Sequence, residues 1–420
     1  MKVSGPPITP IRQRQAKRIN KTPINLASGY PAWINGSSPA RTKLLTTCEQ
    51  DQHWMHRALE LARNGQGHVE PNPLVGCVLV KDQQLVASGW HQQFGGAHAE
   101  VNALQEAGSA STGCTLYVTL EPCSHHGKTL PCTETIREAG ITRVVIGQQD
   151  PFTKVNGQGI QQLQEAGLQV EIGILEAECQ HLNAPYLKRL ATGKPWVVAK
   201  WAMSLDGKLA ASDGSSRWIS SPTSRQIVHQ IRGRMDAILV GRQTALLDDP
   251  QLTARPPGAR VATRIVMTTA ADLPDHLNLI QTAREIPTLI VCGPDAPGKN
   301  RDTLEAAGCQ VFATDSADRC QMIESLLCYL GKQDLTNLLV EGGGQLLGSC
   351  FKAKAIDEVH VFVANKTLGG TGAASPIGGY GQDSMPSTHL LNQLQSRSVE
   401  DDIYFWGRPD QTTDLPGKQD

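Results

Sequence analysis

The residues best able to do chemistry fall into one short stretch: His98-Ala99-Glu100, then Glu121-Pro122-Cys123, then Cys132. One imidazole and two thiolates make a sufficient donor set for a catalytic zinc ion, which takes three protein ligands and keeps a position open for water. Such an ion lowers the pKa of its water towards neutrality. Glu100 is then left over as a carboxylate that carries protons rather than binding metal. A structural zinc site would instead close with a fourth Cys or His, and His125 and His126 lie between the two cysteines. The local pattern opens one helix near His98 and Glu100 and another at Cys132. Unpaired N–H groups at a helix start favour a thiolate.

The order of these groups follows the H-x-E…P-C-x-x-C pattern of zinc deaminases, with one departure. Eight residues, Ser124 to Pro131, separate the cysteines where the pattern has two. H-x-E alone is common on surface helices; with P-C downstream it is specific. The wider context, Pro71-Asn72-Pro73-Leu74-Val75-Gly76, His91, Gly95-Gly96-Ala97-His98 and the run Leu120 to Cys132, resembles the deaminase half of the bifunctional RibD family, long insert included. Leu130 stands where that family usually has Pro, a change that touches no ligand. The resemblance implies one zinc ion per chain on His98, Cys123 and Cys132, with Glu100 catalytic. It also implies a substrate pocket lined by Asn72, His91, His125 and Lys128. By residue chemistry Lys128 suits a phosphate and Asn72 the amide edge of a pyrimidine. Between two prolines, Asn72 also suits a turn.

A second set of motifs lies downstream. Val340-Glu341-Gly342-Gly343-Gly344 ends a strand and opens a helix, where glycines let backbone N–H groups approach a phosphate. No G-x-G-x-x-G follows a strand, so a Rossmann site is unsupported. Lys200 to Lys208, Ser216 to Ser221, Arg232, Gly241 to Arg255, Glu341-Gly342-Gly343 and Ile356-Asp357-Glu358 resemble the reductase half of the same family, in its order. The resemblance implies a dihydrofolate-reductase-like fold that binds NADPH. The cofactor residues it implies are Ala202, Trp218, Thr244, Asp248 and the turn Gly343, Gly344, Gln345, Leu346, Leu347, Gly348 and Ser349. Lys200, Ser216, Arg232, Leu252, Arg255 and Glu341 are implied for the substrate. Guanidinium forks suit a sugar phosphate. Lys200 and Glu341 either polarise the ribose carbonyl or hydroxyls or form a structural ion pair. Asp248-Asp249-Pro250 reads as turn chemistry rather than a metal site.

The elements that must position these groups alternate along the chain. The first helix is expected over Asp51–Asn64, with Asp51 as its N-cap and Gly65 as its stop. Strands follow at Val75–Val80, Thr115–Leu120, Arg143–Gly147 and Gln169–Ile172, with helices at Ala99–Glu106, Cys132–Glu138 and Gly159–Ala166. The pattern breaks around Tyr186–Pro195. A second set then runs through strands Val197–Met203, Ala237–Val240, Arg264–Met267, Thr288–Cys292, Leu338–Val340 and Glu358–Val363. Its helices are Ser224–Arg234, Arg319–Leu330 and Gln345–Phe351. Such alternation predicts an α/β protein. With the resemblance, it predicts an N-terminal cytidine-deaminase-like three-layer α/β/α domain and a C-terminal dihydrofolate-reductase-like α/β domain. The expected divisions are a disordered extension 1–46, a deaminase domain 47–190, a reductase domain 195–410 and a flexible tail 411–420.

Composition is that of a globular protein, with 40 % apolar and 19 % charged residues in 420 and a formal net charge of −1. A broad electrostatic grip on nucleic acid is not suggested, and no apolar run is long enough for a membrane span. The 11 cysteines, an odd number without small-scaffold spacing, point to a reducing compartment. Cys77, Cys114, Cys292 and Cys309 read as core residues. A cytoplasmic location is expected, with organellar import through the basic, acid-poor N-terminus as the alternative. The resemblance implies a bifunctional enzyme of riboflavin biosynthesis. It would deaminate 2,5-diamino-6-(5-phosphoribosylamino)pyrimidin-4(3H)-one, then reduce 5-amino-6-(5-phosphoribosylamino)uracil to the ribitylamino product. Its partner is then a small phosphoribosylated pyrimidine, with no nucleic acid and no membrane, and homo-oligomer formation stays open. The rival readings are a tRNA-type deaminase and a non-catalytic zinc-binding scaffold.

Overall fold

The structure, a computed structural model, describes residues 46–124, 130–153, 155–212, 219–370, 372–379 and 391–409. The expected extension 1–46, apart from Thr46, and the expected tail 411–420 lie outside them. Two compact units divide the chain, Met1–Gln50 and Asp51–Asp420. The described end of the first opens helix α1 (Thr47–Ala62) with a reciprocal cap. There the Thr46 hydroxyl accepts from the Glu49 N–H at 3.3 Å, and the Glu49 carboxylate accepts from the Thr46 N–H at 2.8 Å.

In the second unit, the first sheet is built from β1 (Gly76–Lys81), β2 (Gln84–Trp90), β3 (Thr115–Leu120), β4 (Arg143–Gln148) and β5 (Gln169–Ile172). Its order is β2-β1-β3-β4-β5, with β1 antiparallel to both neighbours and β3, β4 and β5 parallel. Side chains alternate across it. Cys77, Leu79, Leu116, Val118, Val144 and Ile146 face one layer, formed with α2 (Ala99–Ala107), α3 (Cys132–Glu138) and α4 (Gln158–Glu165). Val78, Val80, Tyr117 and Val145 face the other, where Met55, Ala58 and Leu59 of α1 pack with Cys179 of α5 (Glu176–Leu182). That is the period-2 signature of a sheet covered on both sides.

The second sheet has nine strands: β6 (Trp196–Ser204), β7 (Ala237–Gly241), β8 (Thr263–Met267), β9 (Thr288–Cys292), β10 (Gln310–Ala313), β11 (Asn337–Val340), β12 (Glu358–Ala364), β13 (Leu391–Val399) and β14 (Asp402–Pro409). The order is β10-β9-β8-β7-β11-β6-β12-β14-β13, parallel from β10 to β12 and antiparallel through β14 and β13. Helices α7 (Pro222–Arg232), α8 (Arg242–Asp248), α9 (Asn278–Gln281), α10 (Gly298–Ala307), α11 (Arg319–Lys332) and α12 (Gly344–Lys352) belong to this part, and its core is two-sided as well. Val197, Leu239, Ile265, Leu289 and Leu338 face one layer, and Val198, Ile238, Val266, Ile290 and Leu339 the other. Cys77, Cys114, Cys292 and Cys309 are buried. Among the described residues no helix is long and apolar enough to cross a membrane.

The structure departs from the sequence pattern at several places. Asp51 is not a helix cap. It is a buried residue inside α1, and its carboxylate accepts from both terminal nitrogens of Arg143 and from the Tyr117 hydroxyl, each at 2.8 Å. The stretch before Gly193 is a helix, α6 (Ala184–Thr192), with Tyr186 buried and donating to Asp150 at 3.0 Å and Lys188 paired with Asp357 at 2.5 Å. The helix was hidden because its polar residues are satisfied by partners far along the chain. Strand β2 carries no hairpin signal in the sequence, because its turn, Asp82-Gln83, takes positive φ at both residues (50° and 61°) without glycine or asparagine.

Burial pushes the Asp51 carboxyl up, but the hydrogen bonds from Arg143 and Tyr117 and the Arg143 charge more than offset this and leave it below its ordinary value. A carboxylate lowered on folding stabilises the protein above its unfolded pKa of about 4 and loses that contribution as pH falls through the folded value. Asp51→Asn is expected to cost about 3 kcal/mol near pH 7, by leaving Arg143 without its counter-charge. Thermal unfolding should show the gap from wild type narrowing as pH falls below about 4. A gap independent of pH would refute the ionic reading.

Candidate active sites

The end of β3 and the starts of α2 and α3 meet at one place. His98 is the N-cap of α2, Glu100 lies in its first turn, and Cys132 is the first residue of α3. Cys123 follows β3 by three residues. The His98 Nδ1 lies 3.3 Å from the Cys132 Sγ and 3.5 Å from the Cys123 Sγ, and the three donor atoms are within 4.8 Å of one another. The Cys132 N–H also reaches the Cys123 sulfur at 3.4 Å. Hydrogen bonding from Cys132, and then from His98, holds the Cys123 thiol well below the usual thiol range. His98 is pushed up chiefly by its hydrogen bond to Cys123. The trio is thus a compact donor set in which a bound cation would take the place of the hydrogen bonds between its members. Glu100 is buried, and its Oε2 has no hydrogen-bond partner among the described residues.

Beside this trio, His91 is buried and its ring stands edge-on to His98, with centroids 5.4 Å apart. Its Nδ1 lies 3.1 Å from the Ala97 carbonyl, an acceptor only, so Nδ1 carries the proton. The Nε2 then accepts from the Asn72 amide at 3.4 Å. Burial lowers the His91 pKa and favours this neutral form. Asn72 and His91 therefore stand together next to His98. His125 and Lys128 lie outside the described residues.

The second site is a cavity of about 1020 Å³ over the ends of the parallel strands. Lys200, Arg232, Leu252, Arg255 and Glu341 line it, as do Ala202, Thr244, Asp248, Gly343, Gly344, Gln345 and Leu346. Leu347 is instead a core residue, and Gly348 and Ser349 do not line the cavity. Ser216 and Trp218 lie outside the described residues. Glu341 is held by Arg232 through two hydrogen bonds of 2.6 Å. Its ion partner is thus Arg232, while Lys200 acts on it through charge alone. Among the described residues the Arg255 guanidinium bonds neutral partners, the Thr253 hydroxyl at 2.8 Å and the Gln251 amide oxygen at 3.1 Å. Helix α12 (Gly344–Lys352) starts at the cavity, and the Gly343 N–H donates to the Thr244 hydroxyl at 3.1 Å. Burial pushes Lys200 down.

Residues 48–148 match the cytidine and deoxycytidylate deaminase zinc-binding region, and residues 195–405 match the RibD C-terminal domain. The chain is 41 % identical to the riboflavin biosynthesis protein RibD of Bacillus amyloliquefaciens, over 86 % of this chain and 96 % of that one. The chain belongs to the RibD family. Among solved structures, Acinetobacter baumannii RibD in its first form has a TM-score of 0.76 at 34 % identity, covering 87 % of this chain and all of that one. A Thermotoga maritima structure described as a diaminohydroxyphosphoribosylaminopyrimidine deaminase/5-amino-6-(5-phosphoribosylamino)uracil reductase has the same TM-score at 33 % identity and the same coverage. Like the RibD proteins, this chain is an enzyme with two activities, a deaminase and a reductase of riboflavin biosynthesis. Its two domains call for zinc and a nicotinamide cofactor.

Several residues that build the RibD sites were not singled out from sequence. His229 lines the reductase cavity one turn before Arg232 on α7 (Pro222–Arg232), and helical spacing could have found it. Glu121 had no assigned role. It is buried, and its carboxylate accepts from four backbone N–H groups: Asp150 at 3.2 Å, Gly157 at 3.0 Å, Gly159 at 2.9 Å and Ile160 at 3.3 Å. It thereby caps α4, whose own N-cap is a glycine with no side chain to do so. Gly159 packs so close that a Cβ there would lie 2.1 Å from the Pro122 carbonyl oxygen. Cys123 is thus fixed from behind. Glu121→Gln, with one acceptor oxygen in place of two, should cost about 2 kcal/mol in urea unfolding and loosen zinc against a chelator. Unchanged stability and zinc retention would remove Glu121 from the positioning of Cys123.

Proposed function

We propose that the chain releases ammonia from 2,5-diamino-6-(5-phosphoribosylamino)pyrimidin-4(3H)-one and then reduces the ribosyl group of 5-amino-6-(5-phosphoribosylamino)uracil with NADPH. The observation that carries this reading is the buried, unpartnered Oε2 of Glu100 beside three donor atoms in mutual reach. His98, Cys123 and Cys132 hold one zinc ion per chain, which when bound supplies the Lewis acidity that makes water a nucleophile near neutral pH. Glu100 takes the proton of the attacking water on its carboxylate and passes it to the departing amino nitrogen. Asn72 donates to His91, which leaves its carbonyl oxygen to accept from the amine edge of the pyrimidine. His125 and Lys128 complete that pocket, Lys128 at the phosphate.

In the reductase, the N–H groups at the start of α12 receive the cofactor pyrophosphate, with Thr244 bracing Gly343. Ala202, Trp218, Asp248, Gly343, Gly344, Gln345 and Leu346 form the rest of the NADPH site, and NADPH supplies the reducing equivalent. Arg232 is committed to Glu341, so Arg255 offers the sugar phosphate a guanidinium whose partners among the described residues are neutral. Glu341 accepts from ribose hydroxyls, and Lys200 donates to the oxygen of the carbonyl whose carbon takes the hydride. Ser216 and Leu252 close the substrate side.

The test follows ammonia release and NADPH oxidation together on the diaminopyrimidine substrate. Cys132→Ser should lose most of its zinc, since a hydroxyl is a poor substitute for a thiolate. Full zinc and full deamination in that variant would refute the ligand set. Glu100→Ala should keep zinc yet lose about 10²-fold or more in ammonia release, and still oxidise NADPH with deaminated substrate. Glu341→Gln should do the reverse and accumulate the unreduced intermediate. If Glu100→Ala also abolished reduction of the deaminated substrate, two separate sites would be the wrong description.

A further inference from the structure

We propose that Arg260, which belongs to the reductase half, is a positioning residue for the deaminase, holding the loop that carries Asn72. Arg260 lies just before β8, and its guanidinium reaches across to residues 67–70 of the deaminase half. The Nε donates to the Gly67 carbonyl at 2.8 Å, and a terminal nitrogen donates to the Glu70 carbonyl at 2.6 Å. That same nitrogen lies 3.5 Å from the Glu70 carboxylate, whose other oxygen accepts from the Gly67 N–H at 2.9 Å. The remaining terminal nitrogen pairs with Asp236. Asp236 is itself fixed, since its second oxygen accepts from the Thr336 and Asn337 N–H groups at 2.8 Å each. The guanidinium is therefore tied to the start of β11 in the large sheet while gripping two carbonyls of a loop built on the small one.

The fit leaves no slack. Gly67 has φ +83°, and a Cβ there would lie 3.0 Å from the Ala259 Cβ. Arg234 adds a bond to the Gln66 amide oxygen at 2.8 Å. Asn72 comes two residues after Glu70, with its N–H bonded to the Val69 carbonyl at 3.0 Å and its side chain to His91. His91 is the ring set against His98. Charge-assisted bonds to two carbonyls three residues apart set the curvature of this loop, and hence the place of the Asn72 amide. Misplacement by about 1 Å is enough to lose a large factor in rate or affinity.

The proposal rests on Asn72 contacting the pyrimidine, and Asn72→Ala is the control for that. In the full-length, zinc-loaded enzyme, Arg260→Ala should raise the deaminase KM by about fivefold or more, with kcat changed less than about twofold. Reductase kinetics on the deaminated substrate should not change. Added guanidinium ion should restore part of the KM, and Arg260→Lys, which keeps the charge but not the fork, should fall between wild type and Arg260→Ala. It also serves as the test if the alanine variant does not fold. An unchanged deaminase KM in Arg260→Ala or Arg260→Lys, with Asn72→Ala impaired, would overturn the role of Arg260 alone. A parallel loss of both activities would overturn it too, as the mark of a merely structural residue. An unimpaired Asn72→Ala would overturn the substrate assignment and the proposal together.

Discussion

Parallel pairing of neighbouring strands governs where the chemistry of this protein can sit. Each strand of a parallel set ends on the same edge and hands the chain to a crossing helix, so strand ends and helix starts gather there. Beyond β3 the chain supplies Glu121 and Cys123, and beyond β11 it supplies Glu341 and the glycines that open α12. Helix starts bring N–H groups without intrahelical partners, which attract thiolate, carboxylate or phosphate. Cys132 opens α3 and His98 caps α2, so three helix starts with α4 surround the zinc-type donors. The same geometry forms the floor of the reductase cavity.

Buried charge does the positioning in both halves. Glu121 is neutralised by backbone N–H groups, Glu341 by the fork of Arg232, and Asp51 by Arg143 with Tyr117. Such groups add little net stability when complete but are expensive to break, because the partner left behind remains buried. Their value lies in allowing one arrangement. Glu121 seats the segment before Cys123 against α4. The Arg232–Glu341 pair holds a carboxylate in a fixed orientation at the cavity wall.

The halves are also less separate than two motif sets along a chain suggest. Asp357 accepts at one oxygen from both Lys188 of α6 and the Val197 N–H of β6, so the connecting helix and the second sheet share an anchor. Arg408 of β14 donates to the His181 carbonyl at 3.0 Å, and its guanidinium lies 4.7 Å over the Trp196 ring. Arg260 and Asp236 tie a third place. Lys188, Arg408 and Arg260 are long cations that reach carbonyls or carboxylates of the other half, contacts that bridge surfaces without a continuous apolar core.

The sequence by itself determined the donor trio, the carboxylate of Glu100 beside it and most of the strands beneath them. Those signals are local: strand alternation at Thr115–Leu120, helix starts at Ala99 and Cys132, and glycines after Val340 are set by a few neighbouring residues. The RibD resemblance extended this to the cavity residues, most of which line one space in the fold. What escaped was anything whose partner lies far along the chain. Asp51 read as a cap because a carboxylate near a helix start satisfies that pattern, and only Arg143, 92 residues later, makes it a core anchor. Helix α6 shows no clear stripe in the sequence because its polar residues find their partners, Asp150 and Asp357, only in the fold. Glu121, Arg232 with Glu341, and Arg260 with the Gly67–Glu70 loop were decided by the tertiary structure alone. A polar side chain carries the same letter whether solvated or buried, and only the folded chain decides which distant groups will satisfy it.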